Sequence, residues 1–221
     1  KGLQLSSVNL DTTICSDQGI DFQTNVTWTK DQLKNVTWQF EDSVIVKDQN
    51  VQSRHIYSRG GVYRPIITVK GESGCSKTWA GLVKVHQKPN AYFERIKLCV
   101  GNPVTLQNQS SQGDTTVIGY EWLTDDNPTS SKEHLPVQFS EAGTKDITLI
   151  AVDNNQCTDT ITQRLRIFEK PQVVLHVPDS CSNASTVITA SIKQVGKDTI
   201  DSYKWGINGK NLGELAEQPY R

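Results

Sequence analysis

The sequence predicts an all-β protein in which sandwich domains follow one another in tandem. Its regular segments are rich in Val, Ile, Thr and aromatic residues, and Asn, Asp, Gly and Ser separate them. Several of these segments alternate apolar and polar residues, and no window of the chain shows a sustained helical stripe. A frame of cysteine, tryptophan, glycine and proline also recurs with a period of 82 to 84 residues. A repeat of this length is a domain and not one turn of a solenoid.

The spacing of the frame predicts the number of domains. The distance from cysteine to tryptophan is 23, 23 and 24 residues in successive copies, and the distance from glycine to the next cysteine is 14 residues in the first two. The marks are Cys15, Trp38, Gly61, Cys75 and Pro89, then Cys99, Trp122, Gly143, Cys157 and Pro171, then Cys181 and Trp205. We therefore predict complete domains at residues 1–89 and 90–171, and the N-terminal part of a third at 172–221.

The strands of the first copy can be assigned in order. Residues 1–8 lead from a connection into a first strand, and residues 20–28 alternate apolar and polar side chains along a second. Residues 33–40 place Val36 and Trp38 on one face of a third. Each of these patterns predicts a strand that covers a core with one side.

The composition makes two classes of function unexpected, nucleic-acid binding and membrane spanning. Lys and Arg number 23, Asp and Glu number 24, and no basic or acidic block occurs, so binding of nucleic acid is not expected. The apolar runs are too short for a membrane span. The chain has no Met and no signal peptide, and we expect it to be an internal or processed segment of a longer protein.

The five cysteines predict disulfides. We expect Cys15 to pair with Cys75 and Cys99 with Cys157, one bond per domain, which leaves Cys181 unpaired. Each bond would close a loop of about 60 residues and contribute about 4 kcal/mol in the chain-entropy model. The alternative is five free thiols in a cytosolic protein; a zinc site would need closer cysteine spacing. Disulfides indicate an exported protein.

Tryptophans have two expected roles. Trp38, Trp122 and Trp205 recur with the frame, and we expect them in the cores, packed against the disulfides. Trp28 and Trp79 lie outside the frame. Either they are buried at the margin of the first core, or they form an exposed platform on which sugar rings stack.

A motif follows the third strand of the first copy. His55 and Tyr57 precede a short turn, and Gly61 and Tyr63 then open a strand that alternates apolar residues as far as Val69. This arrangement resembles the PKD repeat, an Ig-like β-sandwich in which H-x-Y, a turn and G-x-Y-x-V-x-L-x-V follow one another. The resemblance implies tandem Ig-like sandwiches in an extended array.

The second copy keeps only part of the motif. Gly143 and the strand after it are retained. Val137, Phe139 and Lys145 stand where the first copy has His, Tyr and Tyr. The other family mark, W-D-F-G-D-G, keeps its tryptophan and second aspartate in both copies but lacks the glycines. We therefore expect the tight turn that those glycines serve to be built differently.

The resemblance also implies a setting and a function. Cysteine-bearing repeats of this type are similar to those of large Bacteroidota surface proteins, including gliding-motility adhesins exported by the type IX secretion system. We expect a non-catalytic stalk or filament segment at the cell surface, whose partners are neighbouring repeats and surface polysaccharide or other surface proteins. The alternative is an accessory carbohydrate- or protein-binding module of a secreted hydrolase.

Catalytic chemistry is not indicated. No metalloprotease, nucleophile-elbow, phosphate-loop or dinucleotide motif is present, and we expect no enzyme activity, no cofactor and no metal. His55 belongs to the motif and has a structural role in the resemblance. The acidic pairs Asp125–Asp126 and Glu41–Asp42 are either solvated turns or oxygen ligands for calcium.

The joints predict an extended shape. Lys88 and Pro89 end the first copy, Lys170 and Pro171 end the second, and no Gly/Ser linker follows either pair. Proline restricts itself and the residue before it to extended geometry, which favours a semi-rigid rod. Three sandwiches of roughly 30 Å span about 80–100 Å.

Overall fold

A computed structural model describes residues 4–8, 11–27, 31–41, 45–48, 52–125, 129–179, 187–193, 202–207 and 209–215. Every regular element in these ranges is a β-strand, so the prediction of an all-β fold is confirmed. Within the same ranges, no helix has the length and apolarity needed to span a membrane.

Ten strands in three sheets are described in the first domain. They are β1 (Gln4–Val8), β2 (Thr12–Cys15), β3 (Gly19–Thr27), β4 (Leu33–Gln39), β5 (Ile45–Asp48), β6 (Gln52–Ile56), β7 (Gly61–Tyr63), β8 (Ile66–Gly71), β9 (Ser76–Ala80) and β10 (Val83–His86). One sheet has the order β5-β4-β8-β9 and is antiparallel throughout. The sheet β1-β3-β6 is antiparallel. In the sheet β2-β10-β7, β2 runs parallel to β10 and β7 runs antiparallel to it.

The second domain repeats this plan with longer strands. It contains β11 (Leu98–Cys99), β12 (Val104–Leu106), β13 (Val117–Thr124), β14 (Leu135–Val137), β15 (Gly143–Asp153) and β16 (Thr158–Phe168). The larger sheet has the order β11-β16-β15-β13, and β12 pairs with β14 in the smaller one. Strand β11 runs parallel to the end of β16, as β2 does to β10 in the first domain.

Four strands of the third unit are described. Strand β17 (Gln172–His176) pairs with β18 (Thr189–Lys193), and β19 (Tyr203–Ile207) pairs with β20 (Lys210–Leu215), both antiparallel. Trp205 is half-buried on β19. Cys181 lies outside the described residues.

Each complete domain has its own core between the two faces. Trp38 on β4 and Trp122 on β13 are fully buried at equivalent places. The first core is Phe22, Val36, Trp38, Phe40, Tyr57, Ile67, Val69, Val83 and Val85. The second is Phe93, Leu98, Leu106, Trp122, Leu135, Val137, Phe139, Ile147, Leu149, Leu165 and Ile167. Alternation along the strands places these residues on the inner faces, so each domain has a separate hydrophobic interior.

Two frame glycines open equivalent strands. Gly61 begins β7 with φ of 158°, and Gly143 begins β15 with φ of 140°. The φ of Gly143 lies in a region that side-chain-bearing residues rarely adopt, which explains why the frame has glycine there.

Candidate functional site at the joint between the domains

A disulfide joins the two domains. Cys15 at the end of β2 is bonded to Cys157 just before β16, with 5.6 Å between their Cα atoms. Cys75 and Cys99 are free thiols. The predicted pairs Cys15–Cys75 and Cys99–Cys157 are therefore wrong, and the bond links neighbouring copies of the frame.

Strand length explains this pairing. Within the second domain, Cys157 immediately precedes β16, whereas Cys99 pairs with Phe168, the last residue of that strand. Strand β16 has 11 residues, so the two cysteines lie roughly 35 Å apart at opposite ends of the sandwich. A disulfide requires Cα atoms within about 7 Å. The first domain has the same arrangement, because Cys15 pairs with His86 at the end of β10.

The Cys15 side of the joint is a tight turn, here called the first-cysteine turn (residues 15–18). Ser16 N donates to His86 O at 2.7 Å, and Asp17 N donates to Tyr57 O at 2.8 Å. Gln18 N closes the turn by donating to Cys15 O at 3.2 Å. These bonds fix the turn to the end of the sandwich that faces the second domain.

The Cys157 side is a different turn, the second-cysteine turn (residues 153–157). Asp153 N donates to Cys157 O, and Gln156 N donates to Asp153 O, both at 3.0 Å. The buried Asp153 Oδ1 also accepts the backbone N–H groups of Asn155 and Cys157 at 2.9 Å. The carboxylate therefore holds the loop that presents the Cys157 sulfur.

Hydrogen bonds to both domains hold the linker residue Gln87. Gly60 N in the first domain donates to Gln87 Oε1 at 2.8 Å, and Gln87 N donates to Asp114 Oδ2 in the second domain at 2.8 Å. Asp114 N in turn donates to Gln87 O at 3.1 Å. A Cβ atom on Gly113 would lie 2.0 Å from Gln87 O, so this close approach requires glycine.

Lys88 bridges the two domains electrostatically. Its Nζ lies 2.8 Å from Asp159 Oδ1 in the second domain and 3.2 Å from Asp17 Oδ2 in the first. The hydrogen bond to Asp159, opposed by partial desolvation and supported by Asp17, raises the pKa of Lys88 above its ordinary value. Lys88 N donates to Ser16 Oγ, and Ala91 N donates to Asp159 Oδ2. Lys88, the second residue after β10, thus contacts both domains.

Of the two tryptophans proposed as a stacking platform, only Trp79 belongs to the described residues. Trp79 is half-buried and packs against the first core, with Lys77 Nζ 4.9 Å from the centroid of its ring. Trp28 lies outside the described residues. His55 is stacked against Phe40 at 4.1 Å and meets Tyr57 edge-on at 4.5 Å, which is a packing role.

The acidic pairs are described only in part. Glu41 and Asp125 belong to the described ranges, whereas Asp42 and Asp126 do not. Among described side chains, no group of three or more His, Cys, Asp or Glu residues is arranged to hold a metal ion.

The roles of three aspartates at the joint, Asp17, Asp114 and Asp159, were not predicted from the sequence. They depend on which turns of the two domains face each other. Another feature, a lysine before the closing proline in both copies, is visible in the sequence as Lys88 and Lys170.

A model of the PKD domain matches residues 5–85 and again residues 86–168. The chain belongs to the PKD domain family. PKD domains are typically non-catalytic extracellular modules with adhesive or structural roles, and the inter-domain disulfide also indicates an extracellular protein. The domain limits 1–89, 90–171 and 172–221 remain predictions.

The solved structures that are similar to this chain include two PKD domains. The PKD1 domain of the Vibrio cholerae metalloprotease PrtV is 28% identical, with 37% of this chain and 98% of that chain covered and a TM-score of 0.33. The PKD1 domain of Vibrio anguillarum Epp is 25% identical, covering 38% and 99% with a TM-score of 0.35. The Clostridium thermocellum CbhA fibronectin(III)-like modules are 14% identical, covering 76% and 94% with a TM-score of 0.33. Comparison with curated proteins finds no match.

Proposed function

We propose that this chain is a non-catalytic structural segment of a large bacterial cell-surface protein, in which linked PKD domains form a stiff stalk or filament. The observation that carries the proposal is the disulfide between Cys15 of one domain and Cys157 of the next. The direct effect of this bond is to fix the orientation of two neighbours, which is the property a stalk requires.

Two covalent connections restrict the joint. The peptide passes from His86 to Ala91, and the disulfide provides a second link at a different point of the interface. The Lys88 ion pairs and the hydrogen bonds of Gln87 add contacts between the two links. A flexible linker rich in Gly and Ser would have none of these constraints.

The position of the two turns supports an in-line arrangement. The first-cysteine turn lies at one end of a domain's strands, and the second-cysteine turn lies at the other end. A joint made from one turn of each kind therefore brings opposite ends of two sandwiches together. Domains connected in this way extend the chain along the strand direction.

The more specific setting rests on the resemblance of the cysteine-bearing repeat. It favours an adhesin of the gliding-motility type, exported by the type IX system of Bacteroidota and displayed on the cell surface. Its partners would be neighbouring repeats and either surface polysaccharide or other surface proteins. The alternative is an accessory carbohydrate- or protein-binding module of a secreted hydrolase. Its carbohydrate-binding form would use exposed aromatic rings, whereas Trp79 packs against the first core.

Small-angle X-ray scattering of the oxidised chain tests the proposal. A stiff rod of about 90 Å has a radius of gyration of about 25–30 Å, whereas a compact chain of this length has about 17 Å. We expect the larger value. A value near 17 Å would mean that the domains fold back on one another, and the stalk would lose its physical basis.

A matched pair of variants isolates the disulfide. Cys15→Ser combined with Cys157→Ser should broaden the distribution of interatomic distances, because the joint then has one covalent link. Cys75→Ser combined with Cys99→Ser removes the free thiols and should leave the profile unchanged. An identical response of the two double variants would contradict a stiffening role for the bond.

A further inference from the structure

We propose that the disulfide between Cys15 and Cys157 is one rung of a ladder, in which the first cysteine of each PKD domain bonds to the second cysteine of the next. On this rule Cys99 bonds to the second cysteine of the third unit. By the same rule, Cys75 forms a disulfide with the first cysteine of another PKD unit. The inference rests on the proposed array and adds the partner of each free thiol.

Cys99 lies in a copy of the first-cysteine turn. Val100 N donates to Phe168 O at 2.9 Å, and Gly101 N donates to Phe139 O at 2.8 Å. Asn102 N donates back to Cys99 O at 3.2 Å. The turn around Cys15 has the same three bonds, in the same order and with closely similar lengths. The backbone that presents Cys99 is therefore the backbone that presents a bonded cysteine one domain earlier.

The left-handed residue of the turn also recurs. Gly101 has φ of 71°, and Asp17, two residues after its own cysteine, has φ of 64°. Asp17 is in addition one of the two carboxylates that contact Lys88. The turn in the second domain thus keeps the conformation but not the carboxylate.

Cys75 lies in a copy of the second-cysteine turn. Gly71 N donates to Cys75 O at 2.8 Å, and Gly74 N donates to Gly71 O at 3.1 Å. These bonds match the ones that Asp153 and Gln156 make around Cys157. Gly74 and Gln156, each one residue before its cysteine, have φ of 89° and 63°. Each domain therefore carries one turn of each kind, and in each domain a different one is bonded.

The exit of the second domain has the parts of a joint. Lys170 and Pro171 follow β16 as Lys88 and Pro89 follow β10. A Cβ atom on Gly101 would lie 3.6 Å from Lys170 Nζ. The side chain of Lys170 therefore lies close to this turn, as the side chain of Lys88 lies close to Asp17. The third unit begins directly afterwards with β17.

A concave surface marks the contact area. It has a volume of about 540 Å³ and is lined in part by Val100, Ala142, Glu169 and Lys170. These positions correspond to Ser16, Gly60, Gln87 and Lys88, which in the first domain contact the second domain or its linker. By analogy with the observed joint, a further PKD domain would cover this surface.

The bond follows from thiol–disulfide exchange. The Cys99 thiolate attacks the disulfide of a protein oxidant in the export compartment and forms a mixed disulfide. The second cysteine of the third unit then attacks Cys99 Sγ, and the oxidant leaves as a dithiol. Two thiols lose two protons and two electrons in total, and the oxidant's disulfide takes up both.

Peptide mapping of the native protein tests the ladder. The protein is isolated from its source, alkylated without reduction and digested, and disulfide-linked peptides are identified by mass spectrometry. We expect the Cys99 peptide to be linked to a third-unit peptide that carries the second-cysteine turn. Alkylated Cys99 would overturn the proposal, as would its bonding to Cys157, to Cys181 or to a second copy.

The 221-residue chain provides the matched control. In this chain Cys99 and Cys75 should both be fully alkylated, while Cys15 and Cys157 resist alkylation until reduction. A loss of Cys99 labelling in the native protein, relative to this chain, is the expected signal. Equal labelling in both proteins would refute the ladder.

The ladder and the stalk can fail separately. A rod-like scattering profile together with free Cys99 would remove the ladder and leave the stalk. A compact profile together with the predicted linked peptide would remove the stalk and leave the pairing rule.

Discussion

The first and second domains have the same frame but fill it with different side chains. In the first, ring contacts run from Phe22 through Trp38 and Phe40 to His55 and onward. In the second, the described ring contact is the one between Phe93 and Trp122 at 5.1 Å, and most other core residues are aliphatic. The frame therefore determines where strands and turns lie, whereas the side chains that fill the core differ between the two domains.

The strands at the centre of the larger sheets differ as well. In the first domain Arg64 and Pro65 separate β7 from β8. In the second domain Asp146 and Ile147 take these positions, and β15 continues without interruption. Proline cannot donate to a ladder, whereas Ile147, at the position of Pro65, pairs with Gln163 of β16. The shared topology thus tolerates a break in a strand.

The two tryptophans also differ in hydrogen bonding. Trp122 Nε1 donates to Lys132 O at 3.1 Å. Trp38 Nε1 is equally buried and has no partner among the described residues. An unpaired buried donor is destabilising, so the same frame residue is better satisfied in the second domain.

The largest expected effect concerns what couples the two domains. Reduction of the Cys15–Cys157 bond removes a cross-link with a sequence separation of 142, worth up to about 5 kcal/mol in the chain-entropy model. We expect the first and second domains then to unfold at different denaturant concentrations. Intrinsic fluorescence with and without reductant measures this. A single transition that reduction does not shift would contradict the coupling.

Truncation of each tryptophan compares the two cores directly. Trp38→Ala and Trp122→Ala should each cost about 3–5 kcal/mol, the range for a large buried aromatic residue. Each change should destabilise mainly its own domain, which urea unfolding of the reduced protein can separate. If the Trp122→Ala midpoint barely moves, the tryptophan is not a core residue in solution.

A smaller substitution isolates the indole hydrogen bond. Trp122→Phe leaves the Lys132 carbonyl without its donor, whereas Trp38→Phe removes a donor that has no described partner. We expect Trp122→Phe to be more destabilising by about 1 kcal/mol, since the loss of ring volume is the same in both. Equal free energies of unfolding for the two variants would show that this hydrogen bond contributes nothing net.

The smallest expected effect is the pH dependence of the stability that the Lys88 ion pairs contribute. The pKa of Lys88 is raised in the folded protein, so its contribution is complete below its ordinary pKa of 10.5 and is lost as the pH rises through the raised value. Lys88→Ala should cost less than about 1 kcal/mol at neutral pH and should flatten this alkaline loss. Lys170→Ala is the control, and both are measured with Cys75 and Cys99 replaced by Ser. Parallel alkaline profiles for Lys88→Ala and the unsubstituted protein would exclude the ion pairs as the cause.

Much of the fold could be predicted because it depends on local pattern. Alternation predicted a strand at residues 20–28, where β3 runs from Gly19 to Thr27. The 82-residue spacing predicted a domain repeat, and the motif from His55 to Val69 indicated the PKD family. These signals lie within single strands or turns, where side-chain periodicity and glycine geometry act directly.

The cysteine pairing could not be predicted from the same spacing. Every complete copy has two cysteines, and this pattern is identical whether bonds form within a copy or between adjacent copies. The choice depends on strand length, which separates the two turns of one domain by roughly 35 Å, and on the short Lys88–Pro89 linker, which brings turns of neighbours together. The contacts of Asp114 and Asp159 depend on that juxtaposition and were not predictable either.

The disulfide also changes how the chain would respond to tension. A pull applied before Cys15 and after Cys157 travels through the sulfur atoms and bypasses the intervening residues. Those residues could extend to roughly 500 Å if they unravelled. While the bond is intact, this length cannot be released. Unfolding of a domain under load therefore does not increase the distance between the points before Cys15 and after Cys157. Single-molecule stretching should release this length only after reduction, and a ladder of such bonds would make the array nearly inextensible.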